Sequence, residues 1–241
     1  MYQPRTYRHW VKGQDLASFN VVVKETDLYI RASRNLQGEA LKSVIKCRNK
    51  LEGYIEQHPG FLTSMEPVPF DGGAPDIVLA MLEAAEKAGV GPMTAVAGAI
   101  NEFVGHELLN YSPEVIIENG GDIFIRSLRK RVIGIYAGKS PLSGKIGLEI
   151  SGEDTPLAIC TSSGTVGHSF SYGKADAVVV LSPSSPLADA AATAIGNMIR
   201  QPEDIPNAIE RARGIGELTG LVVIKDDKIG LWGEVRVCDT G

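Results

Sequence analysis

The spacing of apolar residues predicts three helices in the first half of the chain. Over residues 41–55 the apolar positions recur every three or four residues, which indicates an amphipathic helix that ends before Pro59. Two more helices are predicted over residues 75–89 and 90–110, each with a proline near its start. The prolines and glycines between residues 61 and 75 predict a loop.

Shorter apolar runs predict strands on both sides of these helices. The segment 19–30 reads as a hairpin, and residues 114–127 (EVIIENGGDIFIRS) form a strong hairpin pattern around a Gly-Gly turn. The runs RVIGIYAG, KIGLEIS and LAICTSS predict further strands, and residues 175–183 predict a central one. Two helices then follow over residues 185–200 and 202–216, and a final hairpin turns at Asp226–Asp227.

The order of these elements predicts the fold class. Strands and helices come in separate groups rather than alternating one by one, so a parallel doubly wound sheet is not expected. We predict an α+β fold with largely antiparallel sheets and packed helices. Without a linker or low-complexity segment, residues 1–241 should form a single compact domain or two intimately packed halves.

Composition and charge exclude some classes of binding partner and indicate the cellular compartment. The net charge of −5 and the pI near 5.5 argue against a nucleic-acid surface, which usually needs a basic face. No apolar run reaches the roughly 18 residues of a membrane span, and the N-terminus has no apolar signal core, so we expect a cytoplasmic protein without a membrane partner. The three cysteines form no CxxC pair, which argues against zinc and redox motifs.

The helix predicted at residues 185–200 carries the first candidate site. Ser185 is predicted to cap it, and Asp189 and Thr193 lie four residues apart on one face with only alanines between them. A carboxylate and a hydroxyl suit Mg²⁺ whose remaining ligands are water and phosphate. The alternative is that Asp189 only stabilises the start of its helix.

A polar loop supplies the second candidate site. Residues 161–177 read TSSGTVGHSFSYGKADA, and such small residues can direct several backbone N–H groups at a phosphate. The alternative is a plain connection between strands. The candidate side chains here are His168 as a general base or phosphate ligand, with Ser162, Ser163, Gly164 and Lys174 as cofactor-binding residues.

The Gly-Gly hairpin over residues 114–127 supplies the third candidate site. A hairpin turn with positive φ explains Gly120 and Gly121 by itself, but Asn119 and Asp122 could also project from the sheet edge toward a ligand. A serine hydrolase is disfavoured, because the chain has no G-x-S-x-G segment around a serine.

The chain resembles the FAD:protein FMN transferases, the flavin transferases related to ApbE, in three motifs that occur in the same order. They are ENGGDI, the histidine after the Gly/Ser stretch, and LADAAATA. The resemblance covers roughly residues 90–200 and is most specific at Ala188–Ala194. It implies an ApbE-like, T-fold-related architecture. It also implies that FAD binds with Mg²⁺ at its pyrophosphate and that the FMN half moves to a Thr or Ser hydroxyl of an acceptor protein.

By match to the family's motifs, Asp189 and Thr193 would be the metal ligands, and His168 would lie near the phosphates. The chain also departs from the family. Ala97 stands where the family has a lysine, and Ser-Phe-Ser-Tyr-Gly-Lys follows the histidine in place of Ile-Asp-Pro-x-Thr-Gly. In these respects the chain looks closer to a cytoplasmic bacterial and archaeal branch of the superfamily. The alternative function is therefore a non-catalytic binding or assembly protein that has kept the fold.

Overall fold

The strands of the protein form two antiparallel sheets. The structure, a computed structural model, describes residues 15–166 and 172–240. The larger sheet contains eight strands and the smaller three. The strands are β1 (Ala17–Val23), β2 (Thr26–Ala32), β3 (Val115–Asn119), β4 (Asp122–Arg126), β5 (Arg131–Gly134), β6 (Ile146–Ile150), β7 (Leu157–Ser162), β8 (Ala177–Ser182), β9 (Gly220–Lys225), β10 (Lys228–Gly233) and β11 (Val237–Asp239).

The larger sheet has the order β1-β2-β3-β4-β7-β8-β9-β10, and the smaller has the order β11-β6-β5. Every pairing in both sheets is antiparallel. The predicted α+β class with largely antiparallel sheets is confirmed. Strand β8 lies between β7 and β9, as expected of its continuous apolar sequence.

The helices follow most of the predicted periodicity, with two corrections. A short helix occupies part of the segment that was predicted to be a loop, and the helix predicted from residue 90 begins as a 3₁₀ turn at Pro92–Ala95. The helices are α1 (Gln37–Gln57), α2 (Pro59–Thr63), α3 (Asp76–Ala88), α4 (Val96–Leu108), α5 (Ser185–Gly196) and α6 (Ile205–Arg213).

The elements stack in three layers: helices, the larger sheet and the smaller sheet. One apolar core lies between the helices and the larger sheet and contains Val178, Val180 and Val223. The other lies on the opposite face and contains Val179 and Val222, together with residues of the smaller sheet. Neighbouring strand residues therefore enter different cores, as the alternation of side chains along a strand requires.

The helix layer places α5 over β7 and β8, with α3 and α4 packed beside it. Because α5 is nearly all small residues, its neighbours can approach closely. In the part of the chain that the structure describes, no helix has both the length and the apolarity to cross a membrane.

Candidate functional site

Helices α4 and α5 meet at a contact that only glycine allows. A Cβ atom on Gly98 would lie 2.2 Å from the carbonyl oxygen of Ser185 and 2.9 Å from Cβ of Asp189. Real Cβ atoms do not approach backbone so closely, so the absence of a side chain at Gly98 sets the spacing of the two helices. This contact gives a structural reason for the run of small residues at the start of α4.

Asp189 lies at this contact and bonds to the start of α4. Its Oδ2 atom accepts a hydrogen bond from the backbone N–H of Gly98 at 2.9 Å. Gly98 is in the first turn of α4, where backbone N–H groups have no partner within the helix. Asp189 therefore stabilises the N-terminus of a neighbouring helix, whereas the sequence suggested the start of its own. Asp189 and Thr193, one turn farther along α5, are both half-buried.

Asp122 begins β4 on the side of the sheet that faces the helices. Its side chain is buried, and its Oδ1 atom accepts a hydrogen bond from the backbone N–H of Thr161 at 3.0 Å. Burial, with a smaller contribution from the charge of Glu118, raises the pKa of Asp122 to about 7. The hydrogen bond from the backbone N–H of Thr161 acts in the opposite direction without offsetting the burial.

The carboxylates of Asp122 and Asp189 repel each other through the protein interior. Burial raises the pKa of Asp189 well above its usual range, and the charge of Asp122 raises it further. The pKa of the Cys160 thiol is also raised, by burial first and then by both carboxylates. Among the described residues, no lysine, arginine or histidine forms an ion pair or hydrogen bond with either aspartate. Within the described part of the chain, therefore, no cation compensates these two carboxyl groups when they ionise, and their raised pKa values follow from that.

Two polar atoms without hydrogen-bond partners lie beside these carboxylates. They are Oδ1 of Asn101 and Oγ of Ser185, and both residues are fully buried. Asn101 is held there by Nδ2, which donates to the backbone oxygen of Asp122 at 2.9 Å. The Cys160 thiol donates to the backbone oxygen of Ser185 at 3.7 Å. Buried polar atoms are usually paired, so an unpaired oxygen at each of these two positions suits the uptake of water or an ion.

The Gly-Gly turn lies at the end of the β3–β4 hairpin, next to Asp122. Gly120 has φ of +67° and Gly121 has φ of +111°, so both adopt the left-handed conformation that the sequence predicted. A Cβ on Gly120 would meet no atom within 4 Å, which leaves open space above the turn. Asn119 is half-buried beside it, and the N–H of Gly121 donates to Oε1 of Glu118 at 2.9 Å.

The base of the polar loop lies at the other end of α5. A Cβ on Gly196 would be 3.2 Å from Oγ of Ser162, so Ser162 faces the C-terminal end of the helix. The hydroxyl of Ser163 accepts hydrogen bonds from the backbone N–H groups of Thr165 and Val166. Ser163 thus stabilises the turn of its own loop.

Three glycines anchor this loop to α5. A Cβ on Gly164 would lie 2.2 Å from the backbone oxygen of Gly173, and a Cβ on Gly173 would lie 1.8 Å from that of Gly196. The backbone N–H of Lys174 donates to the oxygen of Ile199 at 2.6 Å, while the residue itself is exposed. His168, the predicted catalytic residue, lies outside the described residues.

The structure thus distributes the predicted residues along α5. Asp122 acts on Asp189 near the start of the helix, Ser162 packs against Gly196 near its end, and a Cβ on Gly121 would be 3.8 Å from Thr161 between them. Sequence reasoning missed Asn101 and Cys160, because neither belongs to a recognisable spacing. It also placed the helix cap one residue late: Ser184 is the N-cap and its side chain accepts from the N–H of Leu187, so the predicted Ser185 cap is wrong.

Within residues 15–166 and 172–240, no three or more His, Cys, Asp or Glu side chains are arranged to hold a metal ion. A site built from Asp189 and Thr193 alone would leave most metal ligands to water and to a bound phosphate. Mg²⁺ is usually bound in this way, through one or two carboxylates plus substrate phosphates. The residues present therefore fit Mg²⁺ better than a cation that needs a full set of protein ligands.

A family model described as "AbpE bacteria" matches residues 8–217. Among known proteins, the chain is 42% identical to the UPF0280 protein of Methanocaldococcus jannaschii over 221 residues, which are 89% of this chain and 90% of that protein. It is 44% identical to the UPF0280 protein of Methanopyrus kandleri over 224 residues, which are 90% of each.

Among solved structures, the chain is similar to the flavin transferase ApbE of Vibrio cholerae, with a TM-score of 0.59 over 92% of this chain and 97% of that one, at 12% identity. It is also similar to the apo form of the flavinyl transferase ApbE of Pseudomonas stutzeri, with a TM-score of 0.60 over 92% and 94% of the two chains, at 13% identity. These two likenesses establish a shared fold.

Proposed function

The chain belongs to the AbpE bacteria family within the ApbE-like superfamily, and on this basis we propose that it binds a flavin or another phosphate-bearing cofactor together with Mg²⁺. We further propose that it transfers a flavinyl or nucleotidyl group to an acceptor protein. The solved neighbours named as flavin transferases support the class of reaction. The chain departs from the family's motifs at Ala97 and after His168, and in this proposal these departures change the cofactor pocket rather than the fold.

One observation carries this proposal: Asp189 at the α4–α5 contact and Asp122 at the start of β4 have no cation partner among the described residues. Burial raises the pKa values of both Asp122 and Asp189; the charge of Glu118 adds to the shift of Asp122, and the charge of Asp122 adds to that of Asp189. Keeping two acidic groups buried without a cation is costly, and strongly perturbed groups of this kind concentrate at functional sites. A divalent cation at Asp189 would remove that cost.

Each part of the site would have a defined task. Asp189 and Thr193 would hold Mg²⁺, which when bound neutralises charge on a pyrophosphate. The open space above Gly120 would allow the cofactor to approach the backbone of the turn. Asp122 would keep Thr161 and the end of β7 in place through its hydrogen bond, and His168 would act near the phosphates.

A second candidate function is a binding or assembly protein without transferase activity. Ala97 favours it, because the family's lysine is missing at this position of α4. The altered sequence after His168 also favours it. Both functions require the cofactor site, so binding is tested before transfer.

Thermal unfolding with FAD, in the presence and absence of Mg²⁺, tests the proposed binding. At a ligand concentration about 100-fold above Kd, binding adds roughly 2.7 kcal/mol of stability. For a chain of this length the expected rise in Tm is about 5–10 °C. A Mg²⁺-dependent rise supports the cofactor site, and release of AMP with label on a protein would then support transfer. No rise in a folded protein contradicts flavin binding.

Asp189→Asn is the sharpest variant, since asparagine can still accept the hydrogen bond from Gly98 while it removes the charge. The expected result is an intact fold and loss of the Mg²⁺-dependent rise in Tm. The matched control is Asp76→Asn, which changes an exposed aspartate at the start of α3. Loss of the rise in both variants, or in neither, would contradict a metal role for Asp189.

A further inference from the structure

The two outer strands of the larger sheet differ in the side chains they expose. Strand β10 is one outer strand, and its Ile229 and Leu231 are 40% and 46% exposed on the same face. Strand β1 is the other, and its exposed face carries the polar Ser18 and Asn20 beside a single apolar residue, Val22. An outer strand with apolar side chains and free backbone groups is a template for pairing with another strand.

The two faces of β10 are unequal. Gly230 lies under α6, where a Cβ would be 2.2 Å from Cγ2 of Ile205, and Trp232 packs against the core below the helices. Ile229 and Leu231 point to the opposite face. Among the described residues, the only strand that pairs with β10 is β9, so the outer backbone edge of β10 has no strand partner there.

The sequence of β10 is self-complementary in one antiparallel register. Two residues that lie opposite each other in antiparallel strands point to the same face. A two-fold axis through Gly230 meets this condition and places Ile229 opposite Leu231 of a second copy. The two-fold axis repeats this pair, so Ile229 and Leu231 of each copy would both be covered by the other copy.

The charges at the ends of β10 fit the same register. Lys228 begins the strand and Glu234 follows it, and both are exposed. With Gly230 at the centre, the Lys228 end of one β10 lies beside the end of the second copy's β10 that Glu234 follows, which brings opposite charges to the same end of the contact. The symmetric contact repeats this opposite-charge pair at its other end.

From these observations we propose that β10 pairs in antiparallel fashion with β10 of a second copy of this chain, centred on Gly230. The larger sheets of the two copies join edge to edge into one continuous sheet. The partner is a second copy because the apolar pair and the charged pair are both satisfied by the strand's own sequence. The proposal stands apart from the cofactor site and does not depend on it.

Light scattering of the purified protein during size-exclusion chromatography tests the proposal, at loading concentrations up to about 1 mM because a small interface can bind weakly. The expected mass is twice the 25.8 kDa of one chain. Leu231→Lys places two lysines in the contact and should give the mass of one chain. The matched control is Val22→Lys, at a 62% exposed valine of β1, which should keep the doubled mass. A single-chain mass for the unchanged protein, or a doubled mass in Leu231→Lys, would overturn the proposal.

Crosslinking tests the register, in a Cys238→Ser background because Cys47 and Cys160 are buried. A mixture of Ile229→Cys and Leu231→Cys proteins should form a disulfide, because the two positions lie opposite each other. Either variant alone should crosslink far less, because its own cysteines would lie diagonally apart. Crosslinking that is strongest in one variant alone would overturn the register centred on Gly230.

Discussion

Arg131 and Asp122 each begin a strand and are each almost fully buried. Arg131 is paired with charges of opposite sign, whereas Asp122 has no cation partner among the described residues. Arg131 donates to both carboxylate oxygens of Asp15, at 2.7 and 2.8 Å, and to Glu114 at 2.8 Å. The hydrogen bond to Arg131 is the main reason that the pKa of Asp15 falls to about 2. Burial alone would raise the pKa of Glu114, but its hydrogen bonds from Arg131 and Ser127 lower it.

The aspartates at the α4–α5 contact have no such cation within the described part of the chain. Burial raises the pKa values of Asp122 and Asp189, and the charge of Asp122 raises that of Asp189 further, whereas pairing lowers those of Asp15 and Glu114. The paired cluster (Arg131, Asp15 and Glu114) stabilises the fold. The unpaired cluster (Asp122 and Asp189) carries a free-energy cost of burial that a bound cation can reduce. The contrast separates a structural cluster from a candidate functional one without reference to any relative.

The largest expected effect comes from removing the cation of the paired cluster. Arg131→Met leaves Glu114 buried without its partner, and the free energy of unfolding should fall by about 3–5 kcal/mol. Urea denaturation measures the loss. The adjacent Lys130→Met removes only an exposed ion pair with Glu149 and should cost less than about 1 kcal/mol. Equal losses in the two variants would contradict the importance assigned to the Arg131 cluster.

Neutralising Asp122 of the unpaired cluster should raise the free energy of unfolding instead of lowering it. The pKa of Asp122 is higher in the folded protein than in the unfolded chain, so the folded state binds the proton more tightly and stability is lost as the pH rises from about 4 to about 7. Asp122→Asn keeps an acceptor for Thr161 and should be more stable than the unchanged protein by about 2–4 kcal/mol at pH 8. At pH 4 the two proteins should differ little. Urea denaturation at several pH values gives this difference.

Asp15→Asn is the counterpart in the paired cluster. The pKa of Asp15 is lowered by folding, so its contribution is present at neutral pH and disappears as the pH falls from about 4 toward 2. The asparagine variant should therefore be less stable at pH 7 and approach the unchanged protein near pH 2. If both variants change stability in the same direction at neutral pH, the distinction between the two clusters is wrong.

A smaller effect tests the contact that brings Asp189 to α4. Gly98→Ala adds a methyl group where the backbone oxygen of Ser185 is too close, and should cost about 1–3 kcal/mol. Gly53→Ala, on α1, meets no atom within 4 Å and should add about 0.5–1 kcal/mol. Denaturant midpoints of the two variants give the comparison, and a neutral Gly98→Ala would mean that the helices can separate freely.

The smallest effect concerns two neighbouring serines at the start of α5. Ser184→Ala removes a side-chain cap and should cost about 1 kcal/mol. Ser185→Ala removes a buried hydroxyl that has no hydrogen-bond partner and should be close to neutral. Thermal unfolding distinguishes them. A cost at Ser185 equal to that at Ser184 would indicate that its hydroxyl binds a buried water after all.

Local patterns predicted the parts of the fold that local chemistry controls. The helical spacing of α1 and the positive φ angles of the Gly-Gly turn appear as predicted. Helix α2 was missed because its five residues are too few to show a period. The cap at Ser185 was assigned to the wrong serine, because two adjacent serines offer the same chemistry and only the backbone conformation chooses between them.

The α+β class, the hairpins and the choice of Asp122 and Asp189 as candidates follow from local sequence patterns. The packing of distant elements brings the charge of Asp122 to bear on Asp189 and places Arg131 against Asp15 and Glu114. Turns and helical faces depend on neighbours a few residues away, so the sequence carries them directly. Loss of solvent and pairing of charge depend on which distant elements pack together, and here the bare face of Gly98 decides how closely α4 and α5 approach.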